Sequence, residues 1–316
     1  MLHAAVPHKQ SAEVVDPHRA HPLTASVAAV DRAVRLLSFR VIGDSRLPAG
    51  PQVPPDPLVA DWIECDQALC DPAFFTRWRA KVARWLTEQH AVPAQASVPE
   101  KTTGGYVLQW YLVVPTYIGA LLFHSARRVP TLAPQQLRFR LGSAALREVA
   151  LRPGRFWCLP GDPEAGHPDA VPVPDEAALA TVLRDQVIAH ASRFLFVYGS
   201  QVRFGRRTRW ATVTDVLDSG LLLAGRAFGS PQAGASDARL VLGAGDTPGR
   251  HPPYKPLTSA STICELVDDR GRTHWTRRRG SCCFLYALPG IERPCASCPR
   301  LAAVDRAHIY GTLDQA

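Results

Sequence analysis

Residues 279–299 read Arg-Gly-Ser-Cys-Cys-Phe-Leu-Tyr-Ala-Leu-Pro-Gly-Ile-Glu-Arg-Pro-Cys-Ala-Ser-Cys-Pro, and they hold four of the eight cysteines of the chain. The spacing is C-C-x11-C-x2-C. Four thiols this close in sequence can supply an S4 ligand set, which binds zinc or an iron–sulfur cluster. Zinc ribbons separate paired ligands by two or more residues, whereas two adjacent cysteines suit a cluster with two irons. The stretch therefore favours an iron–sulfur loop, with structural zinc, disulfides or free thiols as alternatives.

The same stretch resembles the C-terminal signature of the FhuF-like ferric siderophore reductases. The matching residues are Arg278, Ser281, Cys282, Cys283, Tyr286, Pro289, Gly290, Cys295 and Cys298. The resemblance implies a [2Fe-2S] cluster and reduction of siderophore-bound Fe(III) in the cytoplasm. The ligands that it implies are Cys282, Cys283, Cys295 and Cys298. One departure is the gap of eleven residues between the cysteine pairs, where the family usually has ten. The extra residue falls in a Pro-Gly turn, where a loop tolerates insertion, so we expect ligation to survive.

The composition predicts a folded protein whose positive charge lies in its C-terminal part. The 316 residues are 46% apolar and 20% charged, which predicts a substantial core rather than disorder. The net charge is +8, and residues 193–316 hold 17 Lys and Arg against 10 Asp and Glu, or +7. A basic surface attracts anionic small molecules and acidic redox partners, and in other proteins it binds nucleic acid.

The compartment follows from the N-terminus and from one apolar segment. No basic region followed by an apolar run opens the chain, so we expect no signal peptide and a location in the reducing cytoplasm, where cysteines hold metals. Residues 106–123 carry no charge, but Gln109 and Pro115 interrupt them and they are short for a membrane span. We therefore predict a buried core helix or helix pair, and peripheral contact with a membrane stays open.

Hydrophobic periodicity predicts an α+β fold that is mainly helical, with a small antiparallel sheet and a C-terminal iron–sulfur loop module. The strands are expected as two or three antiparallel strands within 136–160. Helices are predicted over 24–40, 72–90, 176–198 (capped by Asp175), about 200–226 and about 300–310. The predicted organisation is a flexible N-terminus (1–25), a helical and mixed scaffold domain (26–258) and a C-terminal [2Fe-2S]-binding module (259–316). The glycine-rich turn from Gly243 onward is rejected as a dinucleotide site, because prolines forbid the helix that must follow.

Several residues around the cysteines are candidates for tuning the cluster or docking its electron acceptor. These candidates are Arg277, Arg278, Arg279, Ser281 and Tyr286. Positive charge would stabilise a reduced cluster, and Ser281 and loop amides could donate hydrogen bonds to sulfur. The alternative for the three arginines is a solvated basic turn. The Arg203, Arg206, Arg207 and Arg209 set is expected to face an anionic ligand or the acidic loop at 162–164, with an intramolecular ion-pair network as the alternative. Cys65 and Cys70 are predicted to be isolated buried thiols.

The first functional hypothesis is a cytoplasmic [2Fe-2S] reductase of ferric siderophores. It receives electrons from an external protein such as a ferredoxin, and it needs no nucleic-acid partner. The rival hypothesis is a non-catalytic binding protein that is stabilised by zinc and uses its basic C-terminal half. The presence of inorganic sulfide, or of zinc without sulfide, distinguishes the two.

Overall fold

The computed structural model describes residues 20–43, 62–93, 95–243, 256–257, 261–291 and 294–313, and they form an α+β fold that is mainly helical, as predicted. The helices are α1 (Pro22–Ala33), α2 (Cys65–Cys70), α3 (Pro72–Gln89), α4 (Glu100–Ala126), α5 (Glu176–Tyr198), α6 (Arg206–Ala227), α7 (Pro231–Gly243) and α8 (Ala303–Leu313). The strands are β1 (Ser38–Val41), β2 (Ile63–Glu64), β3 (Arg128–Pro130), β4 (Leu137–Leu141), β5 (Leu146–Leu151), β6 (Phe156–Cys158), β7 (Ala170–Pro172), β8 (Ile263–Val267) and β9 (Thr273–Arg277).

Three small sheets are present, in the orders β1-β5-β4-β2, β3-β6-β7 and β8-β9. The predicted antiparallel pair within 136–160 is confirmed as β4 and β5, with Phe139 opposite Val149. Two parallel pairs add to the antiparallel ones, since β1 runs parallel to β5 and β7 runs parallel to β6. The predicted helix over 24–40 is too long, because residues 38–41 form a strand that pairs with β5. It ends at Ala33, and the next residues turn to extended backbone so that Phe39 is buried in the sheet.

Helix α4 forms the centre of the fold, as the apolar segment predicted. It is one continuous helix that includes Pro115. Judged by length and composition, it is the one helix in the described ranges that would suffice to cross a membrane, but 78% of its most apolar window is buried inside the protein. Helix α6 packs closely against it, since a Cβ atom at Gly220 would lie 3.1 Å from Ala120 Cβ. Burial of this kind is what a core helix requires.

Helices α5 and α7 show where local signals succeed and fail. Asp175 caps α5 as predicted, because its Oδ1 accepts a hydrogen bond from the Ala178 amide at 2.7 Å. Helix α7 was not among the helices predicted from the sequence. Its Gly234 meets Gly225 of α6, and a Cβ at Gly234 would lie 2.4 Å from the Leu221 carbonyl oxygen. The two glycines are therefore helical packing residues rather than turn residues.

Some predictions fall partly or wholly outside the described residues. Residues 1–19 are outside them, whereas α1 begins at Pro22, within the segment predicted to be flexible. The predicted domain boundary at 258/259 also lies there. The turn after Gly243 is outside them too, but the residues before it belong to α7 rather than to the strand that a dinucleotide fold needs.

Candidate metal centre

The four C-terminal cysteines lie on a long connection between the β8–β9 hairpin and α8. Cys283 and Cys298 are buried, while Cys282 and Cys295 are partly exposed. The Cys283 thiol interacts with those of Cys282 and Cys295, and the Cys282 thiol also interacts with that of Cys298. The hydrogen bond with Cys283 raises the pKa of the Cys295 thiol and lowers that of Cys282. The fold thus brings together two pairs of thiols that the sequence separates.

The arrangement of the sulfurs fits a centre with two metals better than a single zinc. Sulfurs on one tetrahedral zinc lie about 3.8 Å apart, since each Zn–S bond is about 2.3 Å long. Within the described part of the chain, no three of these cysteines form a group whose ligand atoms all lie within 4.8 Å of one another. The thiols instead contact one another in a row, from Cys298 through Cys282 and Cys283 to Cys295. Four thiolates are the ligand set of a [2Fe-2S] cluster, so the donor set fits that group.

Asp215 of α6 fixes the chain just before the first cysteine pair. Its side chain is 1% exposed, and its Oδ1 accepts the Gly280 amide at 2.8 Å. Its Oδ2 accepts both the amide of Ser281 at 2.7 Å and the hydroxyl at 2.5 Å. The Arg279 guanidinium lies 3.7 Å from the same carboxylate. A buried carboxylate needs such donors to be stable, so this contact both satisfies Asp215 and sets the direction in which Cys282 enters the centre.

Asp218, one helical turn further along α6, holds the start of β8 in a similar way. It accepts hydrogen bonds from the Ser261 hydroxyl and from the amide and hydroxyl of Thr262, at 2.7 to 2.9 Å. Burial raises its pKa. Residues three apart on a helix share a face, so the two aspartates form one polar seam that attaches the C-terminal hairpin and the cysteine loop to the core.

The N-terminal part of α4 forms a wall of the centre. At Gly105 a Cβ atom would lie 3.3 Å from the Cys283 carbonyl oxygen, so a side chain at this position would press on the loop. Thr102 donates its hydroxyl to the Phe284 carbonyl at 3.0 Å. Phe284 has a left-handed backbone, with φ of 57°, and its amide donates to Cys282 Sγ at 3.4 Å. Burial raises the pKa of Tyr106, and the neighbouring thiols of Cys283 and Cys295 add to that rise.

The second cysteine pair is held by Arg306 of α8, which is 4% exposed. Its guanidinium donates to the carbonyls of Ala296 at 2.7 Å and Cys298 at 3.0 Å. The Cys298 amide closes a turn onto the Cys295 carbonyl. The Arg279 amide also donates to the Ser297 carbonyl at 3.1 Å, which links the two cysteine segments directly. Local sequence patterns identified neither Arg306 nor the two aspartates.

The residues predicted around the cysteines take different roles. Arg278 is exposed, whereas Arg279 is 7% exposed and Arg277 donates to the Asp215 carbonyl, so the three do not form one solvated turn. Asp215 accepts hydrogen bonds from both the amide and the hydroxyl of Ser281, and the bond from Ser281 to cluster sulfur stays a prediction. The predicted loop amide is present, and it belongs to Phe284. Tyr286 lies at the surface side of the loop under Arg300, which donates to its hydroxyl at 2.5 Å.

Other predicted groups are separate from this centre. Cys65 is buried as predicted, but Cys70 is exposed, which contradicts the prediction for it. In the loop at 162–164, Asp162 pairs with Arg128 at 2.6 Å. Helix α6 begins at Arg206, and Arg209 donates to the Leu195 carbonyl.

One further group of potential ligands, which the sequence did not single out, consists of His21, His167 and Asp169. In both rings Nδ1 accepts a backbone amide, from Leu23 and from Asp169 respectively, at 3.1 Å. A neutral ring of this kind carries its proton on Nε2, and the Nε2 of His21 faces the Asp169 carboxylate at 3.3 Å. A metal would need a lone pair at that atom, so we interpret this triad as a hydrogen-bonded support for the start of α1.

Comparison with known proteins bears on the cysteine segment. The FhuF 2Fe-2S C-terminal domain matches residues 279–300, which include both cysteine pairs and Arg279. No curated protein matches the chain. The matched segment is the one whose thiols lie together at the end of the polar seam on α6. The segment is similar to this iron–sulfur domain, and its cofactor is a [2Fe-2S] cluster.

Proposed function

We propose that this protein is a cytoplasmic reductase that converts siderophore-bound Fe(III) to Fe(II), and that its ligands are Cys282, Cys283, Cys295 and Cys298. The observation that carries the proposal is the placement of the two thiol pairs, with two sulfurs partly exposed at the surface. A ferric complex can approach such a centre without entering the core. The surrounding cations favour the approach of anionic complexes.

Ligand preference explains why the transfer of one electron releases the metal. Hard siderophore oxygens hold Fe(III) tightly and Fe(II) weakly, so reduction loosens the complex. When bound, a [2Fe-2S] cluster supplies one electron at a time. The residues of the chain hold the thiolates in place and keep part of the site dry. Asp215 and Arg306 fix the two cysteine segments, while Tyr106 and Gly105 cover the inner side.

The electron is supplied by another protein. The sequence holds no complete dinucleotide-binding or P-loop motif. An acidic redox protein such as a ferredoxin suits the excess positive charge of residues 193–316, because complementary charge speeds association.

A trapping assay tests the proposal. The purified protein, a chemically or enzymatically reduced ferredoxin and a ferric siderophore are mixed anaerobically with a chelator that colours with Fe(II). We expect Fe(II) to form only when all three components are present. C282S should abolish the reaction, because it removes one thiolate, and C70S is the matched control because Cys70 is exposed and outside the centre. Equal rates in C282S and the unaltered protein would contradict the proposal.

A further inference from the structure

Five exposed cations from separate segments of the chain surround the cysteine loop. We call this set the basic rim, and its members are Lys101, Arg203, Arg207, Arg278 and Arg300. Among the residues that the structure describes, no carboxylate forms an ion pair with any of the five. The rim therefore leaves an excess of positive charge at the surface beside the metal centre.

Two members of the rim are held by rings of the cysteine loop. Lys101 Nζ lies 5.6 Å from the centroid of the Phe284 ring, and the amide of Phe284 donates to Cys282 Sγ. The Arg300 guanidinium lies 4.7 Å from the centroid of the Tyr286 ring and donates to its hydroxyl. Cations placed in this way lose little side-chain freedom when a partner binds.

The connection between α5 and α6 brings Arg203 to the same edge of the loop. The next residue, Phe204, stacks on Phe284, with ring centroids 5.5 Å apart and planes at 4°. The preceding residue, Val202, lies against α4, where a Cβ atom at Gly104 would be 3.0 Å from it. Arg203 is thus fixed between two residues that pack beside the metal centre.

Arg207 and Arg278 complete the rim on the side of α6. Arg207 lies one helical turn before Ala211, and a Cβ atom at Gly280 would lie 3.5 Å from the Ala211 Cβ. Residues four apart share a face of a helix, so Arg207 is on the side of α6 that faces the cysteine loop. Arg278 lies in the chain two residues before Gly280.

The surface offers charge rather than a slot for a flat small molecule. The faces of the loop rings are already covered, that of Phe284 by Phe204 and Lys101 and that of Tyr286 by Arg300. Cations spread over several segments can instead contact a broad partner. Complexes between redox proteins have small interfaces, and complementary charge sets their association rates.

We propose that the basic rim is the docking surface for the protein that supplies the electron, and that this donor is an acidic one-electron carrier of the ferredoxin class. The rim places such a donor over the partly exposed thiols of Cys282 and Cys295. One electron leaves the reduced donor and is accepted at the metal centre, and no proton or group is transferred. This inference rests on the proposed function, because that function needs an external donor, but docking can be measured without siderophore.

Binding of a redox-inactive donor tests the rim directly. An acidic [2Fe-2S] ferredoxin whose irons are replaced by gallium(III) keeps its surface and cannot transfer an electron. In calorimetric titrations at low salt, K101Q, R203Q and R207Q should each weaken its binding to the cluster-loaded protein about threefold, as exposed ion pairs do. E100Q should strengthen binding about twofold, because Glu100 is an exposed carboxylate next to Lys101. All these differences should vanish at about 1 M salt, where the screening length is about 3 Å.

R239Q is the matched control, because it removes the same charge from the same half of the chain. Arg239 is exposed and lies two residues after Asp237, which pairs with Arg127 just past the C-terminal end of α4. The cysteine loop instead lies against Gly105, near the other end of α4. At 1.5 Å per residue, Gly105 and Arg127 are about 33 Å apart. R239Q should therefore bind the gallium ferredoxin as the unaltered protein does.

Stopped-flow reduction of the metal centre gives a second readout. At low salt, the native reduced ferredoxin should reduce the triple variant K101Q/R203Q/R207Q about 20-fold more slowly than the unaltered protein. Photoreduced 5-deazariboflavin, an uncharged reductant, should reduce both at the same rate. Visible absorbance and circular dichroism check that each variant is loaded and folded.

The outcomes separate this inference from the proposed function. Equal affinities in the rim variants and R239Q, or no binding of the gallium ferredoxin to the unaltered protein, would overturn the inference even if siderophore iron is reduced. Weaker binding in the rim variants without any release of Fe(II) from siderophores would support the docking surface and overturn the reductase proposal. Rim variants that bind the ferredoxin normally and slow only the reduction of ferric siderophores would assign the rim to the acceptor, which refutes the inference.

Discussion

Asp215→Asn should loosen the cysteine loop while leaving the rest of the fold in place. The carboxylate accepts three hydrogen bonds, from the Gly280 amide and from the Ser281 amide and hydroxyl. The asparagine side chain keeps one accepting oxygen, but its NH2 group would face these donors and could not accept from them. Hydrogen bonds to a charged group each contribute about 1.5 to 3 kcal/mol, so we expect a loss of about 3 kcal/mol. Because about 1.4 kcal/mol corresponds to a factor of ten, local opening of the loop should become about 100-fold more frequent. Bleaching of the visible absorbance by an iron chelator measures this opening.

Asp218→Asn is the matched control. Asp218 lies one turn away on the same helix and accepts the same kinds of donor, but its partners are Ser261 and Thr262 at the start of β8. Both variants should lose a similar free energy of unfolding in urea. Only the Asp215 variant should bleach much faster, since only that residue holds the segment before Cys282. If both variants bleach at the same rate, the cluster loop is not held by Asp215 and the reasoning fails.

Three other outcomes are expected. Arg279→Gln should lower the reduction potential by about 40 mV, because a buried positive charge near the thiolates stabilises the added electron. R279K should keep the potential of the unaltered protein, and R278Q, at an exposed position, should shift it by less than half as much as R279Q. Electrochemical titration measures the potentials, and equal shifts in R279Q and R278Q would refute this expectation. Burial lowers the pKa of His190 to about 4, below the ordinary 6.5, so the stability that its neutral form contributes is present above pH 6.5 and is lost as the pH falls toward 4. Between pH 7 and pH 5, the free energy of unfolding in urea should therefore fall by about 2 kcal/mol less in H190Q than in the unaltered protein. Identical falls in the two proteins would contradict this expectation. Cys295→Ser should lose the visible absorbance that Cys70→Ser keeps, and loss in both would show that the ligands are assigned wrongly.

The parts of the fold that could be predicted are those governed by local chemistry. Helix α3 matches its amphipathic spacing almost to the residue, and Asp175 caps α5 because the cap depends on residues three positions away. The cysteine motif was recognisable because its four ligands lie within seventeen residues of sequence, Cys282 to Cys298. The predicted helix over 24–40 failed because pairing with β5, far away in sequence, overrides local propensity at Phe39.

The residues that support the centre could not be predicted, because their partners are distant in sequence. Asp215 accepts hydrogen bonds from Gly280 and Ser281, which lie 65 and 66 positions later in the sequence. Arg128 donates a hydrogen bond to the carbonyl of Pro22, which lies 106 positions earlier. A charged residue within a helical pattern is usually solvated, so nothing local marks Asp215 as buried. For Gly225 and Gly234, the sequence does not distinguish a loop from a close contact between two helices. Glycine is common in loops, but it is also the residue that lets two helices touch, and only the packing of α6 on α7 distinguishes the two cases.

The most direct test of the account is the metal and sulfide content of the anaerobically purified protein. The contacts among the four thiols and the match of residues 279–300 to the FhuF 2Fe-2S C-terminal domain predict two irons and two inorganic sulfides per chain, with visible absorbance and a paramagnetic signal after reduction by one electron. Each serine substitution at Cys282, Cys283, Cys295 and Cys298 should lower both contents together. A colourless protein that contains one zinc and no sulfide would contradict the account and support a structural zinc site instead.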